Sequence, residues 1–378
     1  MKIYELFLTC PKGLEKVSKS ELELIGIQNI SIKSGGNYFE GSLDDIYRVN
    51  LCSRIGMNLL VKLSSFEFKN ITEYYRNIYS YNWNYLIDPN MTIAIDSKID
   101  KKTEVFNNSQ FVNLKAKDAI ADKIRTIRKK RPSVSRDNPD IELKIFINGN
   151  SCDIYLNSSG DSLYIRGTGK ESHAASINES LAAGLVYLSN WNKRDHLVDP
   201  MCGSGTICSE AALIKANISP GLIGRNYSFQ KWINYDYDLF FNIKNHLKSK
   251  VRLSQKFNIY GSDIDYKYIH FCKNHILDYK FNISINYSIA NISNFNKDLF
   301  EKHKTTVITN PPYGIRIGSN DIFKSIHLGF KQILDSGANL YTIFPLNHEF
   351  IENNFDYDLI SKLFNGSIEC GVYNIKNV

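Results

Sequence analysis

The sequence predicts an α/β protein in which a doubly wound, mainly parallel sheet follows smaller α+β modules. Three observations carry this. From about residue 158 onward, short apolar runs alternate with segments of helical periodicity. One of those runs, Leu197-Val198-Asp199, enters the glycine turn Pro200-Met201-Cys202-Gly203-Ser204-Gly205-Thr206. Before residue 157 the pattern is strand, helix, strand, punctuated by Gly35-Gly36 and Asn148-Gly149.

The 378 residues suffice for two or three domains, and 43% hydrophobic with 22% charged residues is ordinary globular usage. Seven cysteines, an odd number without a CxxC pair, argue against a disulfide framework and against a zinc site. They fit a reducing cytosol, so a cytoplasmic protein is expected, with no metal. No apolar run approaches the roughly 18 residues of a membrane span, and the first 13 residues do not read as a signal peptide. The net charge of +7 is modest, so partners must be argued from where the charge lies. Oligomeric state is not encoded in any pattern here.

In order along the chain, residues 3–9 read as a strand and 13–26 as an amphipathic helix carrying Leu14, Val17, Leu22 and Leu24. A strand follows at 38–40, a helix at 71–85 and a strand at 91–96. Residues 113–131 form a long helical pattern with Ala116, Ile120, Ile124 and Ile127 at helical spacing, stopped by Pro132. The rest of that surface is basic: Lys115, Lys117, Lys123, Arg125, Arg128, Lys129 and Lys130, with Arg131 adjoining. Residues 141–147 and 152–156 pair around Asn148-Gly149. A polar, turn-rich stretch at 157–161 marks a boundary. Beyond it, helices at 177–188, 206–216, 266–279 and 322–334 alternate with strands at 197–200, 258–263, 283–289, 306–309 and 339–344. Asp263 lies 58 residues beyond Gly205, against about 20 in a minimal unit. Residues 216–255 must therefore hold an insertion, with a helix expected at 238–250.

The glycine turn has the chemistry of a ligand loop. Glycines admit positive φ and close backbone approach, and the following helix offers free N–H groups. The turn is not the phosphate fingerprint G-x-G-x-x-G, because position 208 is Cys, and it lacks the Lys-Ser/Thr of a P-loop. An acidic loop without phosphate contacts suits a cofactor with a sulfonium and an amino acid end, that is, S-adenosyl-L-methionine (AdoMet). Asp199, Pro200, Cys202, Gly203, Gly205 and Thr206 are its candidate contacts, Asp199 for the ammonium. Asp263, ending the next strand, is placed for ribose hydroxyls, while Asp265 reads as the cap of the helix starting at Tyr266.

A strand then enters Asn310-Pro311-Pro312-Tyr313. Two prolines fix φ and remove two N–H donors, leaving carbonyls free to accept. An exocyclic amino group has two hydrogens to place. The Asn310 side-chain oxygen can take one and the Pro311 carbonyl the other, while Tyr313 can stack on a flat base. Such a site orients a nitrogen for in-line attack and needs no strong base.

With these residues in place the chain resembles the THUMP-domain class I RNA methyltransferases, most closely the N-terminal half of the bacterial 23S rRNA guanine-N2 methyltransferases. The likeness spans nearly the whole chain. It includes Gly13-Leu14-Glu15, Gly35-Gly36, Lys117-Asp118-Ala119-Ile120, Arg131-Pro132, Ser159-Gly160-Asp161, Arg166-Gly167 and Glu179-Ser180-Leu181-Ala182-Ala183. It implies a ferredoxin-like segment at 1–44, a THUMP RNA-binding domain at 45–157 and a Rossmann-like methyltransferase domain at 158–378. It also implies AdoMet-dependent guanine-N2 methylation of structured RNA, 23S rRNA first. The basic helix independently suits phosphate contacts through Lys115, Lys117, Arg125, Arg128, Lys129, Lys130 and Arg131.

Four places depart from the family pattern. Asn291 stands where an acidic residue would face the adenine amino group. Arg166-Gly167-Thr168-Gly169 replaces Arg-Gly-Tyr-Arg, Ala175-Ser176-Ile177-Asn178-Glu179 replaces Ala-Pro-x-Lys-Glu, and Ile315 replaces a Glu before Arg316. Asn291 and Ile315 keep open a non-catalytic RNA-binding ribosome-assembly factor. A tRNA guanine-N2 methyltransferase would share THUMP and Asn-Pro-Pro-Tyr. The tetrapeptide alone would also suit a glutamine-N5 protein methylase or a DNA adenine-N6 methylase, the latter disfavoured by the basic first domain.

Overall fold

The computed structural model describes residues 2–99, 103–166, 177–253, 257–275, 281–283, 285–295, 303–313 and 320–377. Its N-terminal half runs β1 (Tyr4–Thr9), α1 (Glu15–Ile25), β2 (Ser31–Lys33), β3 (Gly36–Gly41), α2 (Leu43–Cys52), β4 (Asn58–Glu67), α3 (Ile71–Ser80), β5 (Thr92–Ile99), α4 (Ser109–Arg128), β6 (Ser133–Val134), β7 (Ile141–Asn148) and β8 (Ser151–Asn157). These strands form one sheet in the order β2-β3-β1-β4-β8-β7-β5-β6. Strand β4 pairs with β1 on one side and β8 on the other, so residues 4–41 and 58–157 contribute strands to one continuous sheet.

Local chemistry explains where elements start and stop. Helix α2, which the sequence reading passed over, opens with a capping box in which Ser42 and Asp45 satisfy each other's backbone amides. The helix expected at 71–85 stops at Ser80, because Tyr81 is extended and the buried Trp83 donates its indole N–H to the Ile78 carbonyl at 2.8 Å. The basic helix begins earlier than expected, at Ser109, where Asn108 caps Gln110. It also ends earlier, as Lys129 turns left-handed with φ 59°. Lys129, Lys130 and Arg131 thus lie on the connection after the helix.

The C-terminal half runs α5 (Glu179–Leu188), β9 (His196–Asp199), α6 (Thr206–Lys215), α7 (Tyr237–Ser249), β10 (Ile259–Asp263), α8 (Tyr266–His275), β11 (Asn286–Ile289), β12 (Thr305–Thr309), α9 (Asn320–Asp335), β13 (Asn339–Pro345), α10 (Glu349–Glu352), β14 (Asp356–Asn365) and β15 (Ile368–Lys376). The sheet order is β11-β10-β9-β12-β13-β15-β14. The first five strands are parallel, as expected for a doubly wound sheet. An antiparallel hairpin, β14–β15, completes one edge and was not anticipated. The strand expected from residue 283 starts at Asn286.

The predicted insertion exists and fastens the two halves together. Helix α7 packs on α2, and the Tyr47 hydroxyl accepts from the Asp236 amide at 3.0 Å. Tyr227, Phe229, Trp232 and Phe240 are buried in the core of the N-terminal half rather than against the parallel sheet. From the other side, Leu14 and Ile55 enter the core built by α5 and α6.

Candidate active site

Parallel pairing brings the carboxyl ends of four strands to one rim. Val198 lies beside Val307, Asp199 beside Gly261, and Asp263 beside Ile289. Asp199, Asp263, Asn291 and Asn310, spread over 112 residues of sequence, therefore share one crevice edge.

The loop between β9 and α6 turns at two glycines with positive φ, Gly203 at 50° and Gly205 at 76°. They play different roles. A Cβ on Gly203 would meet none of the described residues within 4 Å, so among them its backbone borders open space. A Cβ on Gly205 would sit 2.5 Å from the Tyr287 hydroxyl and 2.9 Å from the Cys272 sulfur, so only glycine fits there. The loop is held from outside as well. Asp263 accepts from the Gly203 amide at 2.9 Å, and the Ser262 carbonyl accepts from the Cys202 amide at 2.8 Å. The Cys202 thiol is buried beneath the loop with Cys208 and Cys272, so this residue shapes the loop from below. Pro200 is buried at the turn, and Thr206 opens α6 with its hydroxyl 3.2 Å from that of Ser204.

Asp199 is 1% exposed. Burial pushes its carboxyl up to about 7, against hydrogen bonds from the Thr309 hydroxyl at 2.9 Å and the Met201 amide at 3.3 Å; the Asp263 charge adds to the rise. A cationic ligand group beside it would favour the ionised form. Asp263 spends one oxygen on Gly203 and the other on the Asp265 amide at 3.0 Å, leaving further lone pairs. Asp265 caps Lys267 at 2.8 Å. Asn291 caps a single 3-10 turn by accepting from Ser293 at 3.0 Å, which leaves its amide N–H groups for a ligand.

Asn310 follows directly on Thr309, the residue that holds Asp199. Its side-chain oxygen is buried and accepts no hydrogen bond from any described residue. Pro311 is buried behind it and Pro312 is exposed. Tyr313 is half-buried; its ring packs 5.6 Å from Phe344, and its hydroxyl accepts from Asn365 at 2.7 Å. Burial raises its phenol above the ordinary value. Thr309, Tyr287 and Asn365 are site neighbours that sequence reasoning missed. Only Thr309, next to the tetrapeptide, had a signal in its position. Ile315, Arg316 and the segment 167–176 lie outside the described residues.

The basic positions lie apart from this crevice, on α4 and the turn after it. Lys115 sits over the Phe111 ring, Lys117 pairs with Asp118 at 3.2 Å, and Arg125 pairs with Asp122 at 3.3 Å. Arg131 also binds Asp122, and Lys130 binds Asn90. Arg128 and Lys129 are exposed. Asp118 and Asp122, both visible in the sequence, thus neutralise part of the stripe. Among the described residues no group of three His, Cys, Asp or Glu is placed to hold a metal, and no helix is long and apolar enough to cross a membrane.

A parallel sheet with a glycine loop, an acidic residue on each of two adjacent strand ends and an Asn-Pro-Pro-Tyr turn defines an AdoMet-dependent class I methyltransferase. Residues 166–355 match the RMKL-like, methyltransferase domain family, and the chain belongs to it. Residues 5–57 match the RlmL ferredoxin-like domain and residues 68–157 the THUMP domain. Among solved structures, SMU.472, assigned as a methyltransferase and complexed with SAH, superposes with TM-score 0.87 at 22% identity, covering 100% of this chain and 99% of that one. A protein of Listeria monocytogenes described as a predicted N6-adenine-specific DNA methylase gives 0.86 at 23%, covering 100% and 97%. One described as a possible methylase, from Clostridium difficile 630, gives 0.85 at 26%, covering 100% and 99%. The first two likenesses establish a shared fold over the full chain. The cofactor is AdoMet, and the space over Gly203 together with the buried Asp199 fits it.

Proposed function

We propose that the protein methylates the exocyclic N2 amino group of a guanine in structured RNA, 23S rRNA first, in the cytoplasm. The observation that carries this reading is the buried side-chain oxygen of Asn310 at the end of the central strand, which has no partner among the described residues. A buried acceptor without a partner costs about 1–3 kcal/mol, and among the several such atoms of the described residues the Asn310 oxygen is the one that follows directly on the central strand, in the tetrapeptide, so it reads as an acceptor kept for substrate.

AdoMet supplies an electrophilic methyl on a sulfonium. The chain does the rest. The Gly203 backbone, Asp199 and Asp263 hold the amino acid and ribose ends, and Asn291 offers donors to the adenine edge. Asn310 accepts one amino hydrogen and the Pro311 carbonyl the other, which turns the nitrogen lone pair outward; as the nitrogen–methyl bond forms and the methyl–sulfur bond breaks, one of these hydrogens would leave as a proton to solvent. Hydrogen bonds to those acceptors strengthen as positive charge grows on nitrogen, so they favour the transition state over the ground state. Tyr313 stacks on the base.

RNA is favoured over DNA by the THUMP match; exposed Arg128 and Lys129 at the end of α4 suit phosphate contacts with a nucleic acid of either kind. The orphaned Asn310 oxygen speaks for catalysis over a purely RNA-binding role. Labelled AdoMet with 23S rRNA fragments, tRNA and duplex DNA tests the reading. Transfer to rRNA, mapped by mass to a guanine N2, is expected. Transfer to tRNA or DNA alone overturns the substrate.

A further inference from the structure

We infer that Asn365, at the tip of the β14–β15 hairpin, is a positioning residue that fixes the ring of Tyr313 against the target base. This rests on the stacking role proposed for Tyr313. The Asn365 amide donates to the Tyr313 hydroxyl at 2.7 Å, and the Cys370 thiol approaches the same oxygen at 3.8 Å. Phe344 packs on the ring at 42°. A tyrosine beyond two prolines has a stiff backbone behind it but free rotation about its side-chain bonds. Tying the far end of the ring removes that freedom before the base arrives, and so lowers the ordering cost of stacking.

The tether is itself well anchored. Asn365 pairs with Ile368 across a two-residue turn in which Gly366 has φ 62°. The strand behind it is seated on the N-terminal half: the Ser361 hydroxyl donates to the Gly13 carbonyl at 3.1 Å, and a Cβ on Gly13 would lie 1.9 Å from the Lys362 carbonyl. Lys12 adds a cation–π contact with Phe364 at 5.4 Å. The ferredoxin-like segment thereby sets the hairpin, and the hairpin sets Tyr313.

A mutant cycle on the full chain tests this, using N365A, Y313F, the double variant and N365D. Methyl transfer is measured with tritiated AdoMet and total RNA from cells lacking the protein, and AdoMet affinity by calorimetry. N365A should lower kcat roughly tenfold with unchanged AdoMet affinity. N365D, whose carboxylate accepts from the phenol, should recover most of the rate. In the Y313F background N365A should cost nothing further. Additive losses, or an N365A rate equal to wild type, overturn the inference. A second arm does not need turnover: 3-fluorotyrosine at position 313 should give one sharp 19F resonance in the parent protein and a broadened or doubled one in N365A. An unchanged resonance also overturns it. If the parent protein transfers no methyl to RNA, it is the proposed function that fails, and the fluorine signal still decides whether Asn365 holds the ring.

Discussion

The carboxylate of Asp263 accepts the Gly203 amide at 2.9 Å, joining the end of β10 to the glycine loop that follows β9. The residue read from sequence as a ribose partner is thus also a clamp on the loop it faces. Asp263→Ala removes the clamp together with the proposed ribose contact and should weaken AdoMet binding on the order of 100-fold, since a charge-assisted bond is worth about 1.5–3 kcal/mol. Asp263→Asn keeps an acceptor for Gly203 and should fall between. Calorimetry reads the difference, and equal affinities for all three proteins would remove Asp263 from the site.

The two loop glycines should fail in different ways. Gly205→Ala forces a methyl onto Tyr287 and Cys272 at a positive φ, and should destabilise the fold by about 1–3 kcal/mol. Tyr287→Phe, which removes the nearer clashing oxygen, should restore part of that. Gly203→Ala meets none of the described residues, so it should cost only about 1 kcal/mol of stability for its φ yet block the cofactor. Thermal unfolding with and without AdoMet separates the cases. A Gly203→Ala protein that AdoMet stabilises like the parent would show that the space is not the cofactor's.

Asp199 gives a pH signature. Burial lifts its carboxyl from 3.8 to about 7, so the folded protein holds a proton that the unfolded chain has lost across that window. The sign follows: stability without ligand should decline as pH rises from about 4 to 7. Holding an ammonium requires the ionised form, so AdoMet affinity should rise with pH and level off above about 7, by up to about tenfold per unit. Glu179, which burial also lifts to about 7, shares the stability trend, so Asp199→Asn is the control. A binding curve that keeps its pH dependence in Asp199→Asn would place the ammonium elsewhere.

A buried ion cluster ties the cofactor helix to the N-terminal half. Glu210 on α6 accepts from the Arg166 Nε at 3.0 Å, both side chains 1% exposed, and Arg54 lies 3.8 Å from its other oxygen. Arg166 also donates to the Arg54 carbonyl at 2.8 Å. Glu210→Ala removes the carboxylate that the buried Arg166 guanidinium binds directly and should cost about 3–5 kcal/mol. Chemical denaturation measures it; a loss under about 1 kcal/mol would mean the cluster is solvated.

The parts of this molecule that could be read from sequence are those with local causes. Leu197-Val198-Asp199 and Val307-Ile308-Thr309 are fully buried parallel strands, so their apolar runs are continuous, and the glycine turn and double proline mark where they end. The β14–β15 hairpin was missed because β14 is largely exposed and its sequence, Asp-Tyr-Asp-Leu-Ile-Ser-Lys-Leu-Phe-Asn, has no clean alternation. Helix α2 did carry a signal, the Ser42-Asp45 box. The pairing of Tyr313 with Asn365 spans 52 residues and depends on hairpin register, so no local pattern encodes it. Asp122 did carry a local signal, since it stands three residues before Arg125 on α4, the spacing at which helix side chains meet.

The central claim is that Asn310 orients the amino group to be methylated. Its most direct measurement is single-turnover methyl transfer by Asn310→Ala beside the parent protein, on 23S rRNA from cells lacking the protein, with AdoMet and RNA affinities taken from the same preparations. Expected is a fall in transfer rate of at least about 1000-fold, with both affinities within about twofold of the parent. Transfer at a rate near the parent's would contradict it.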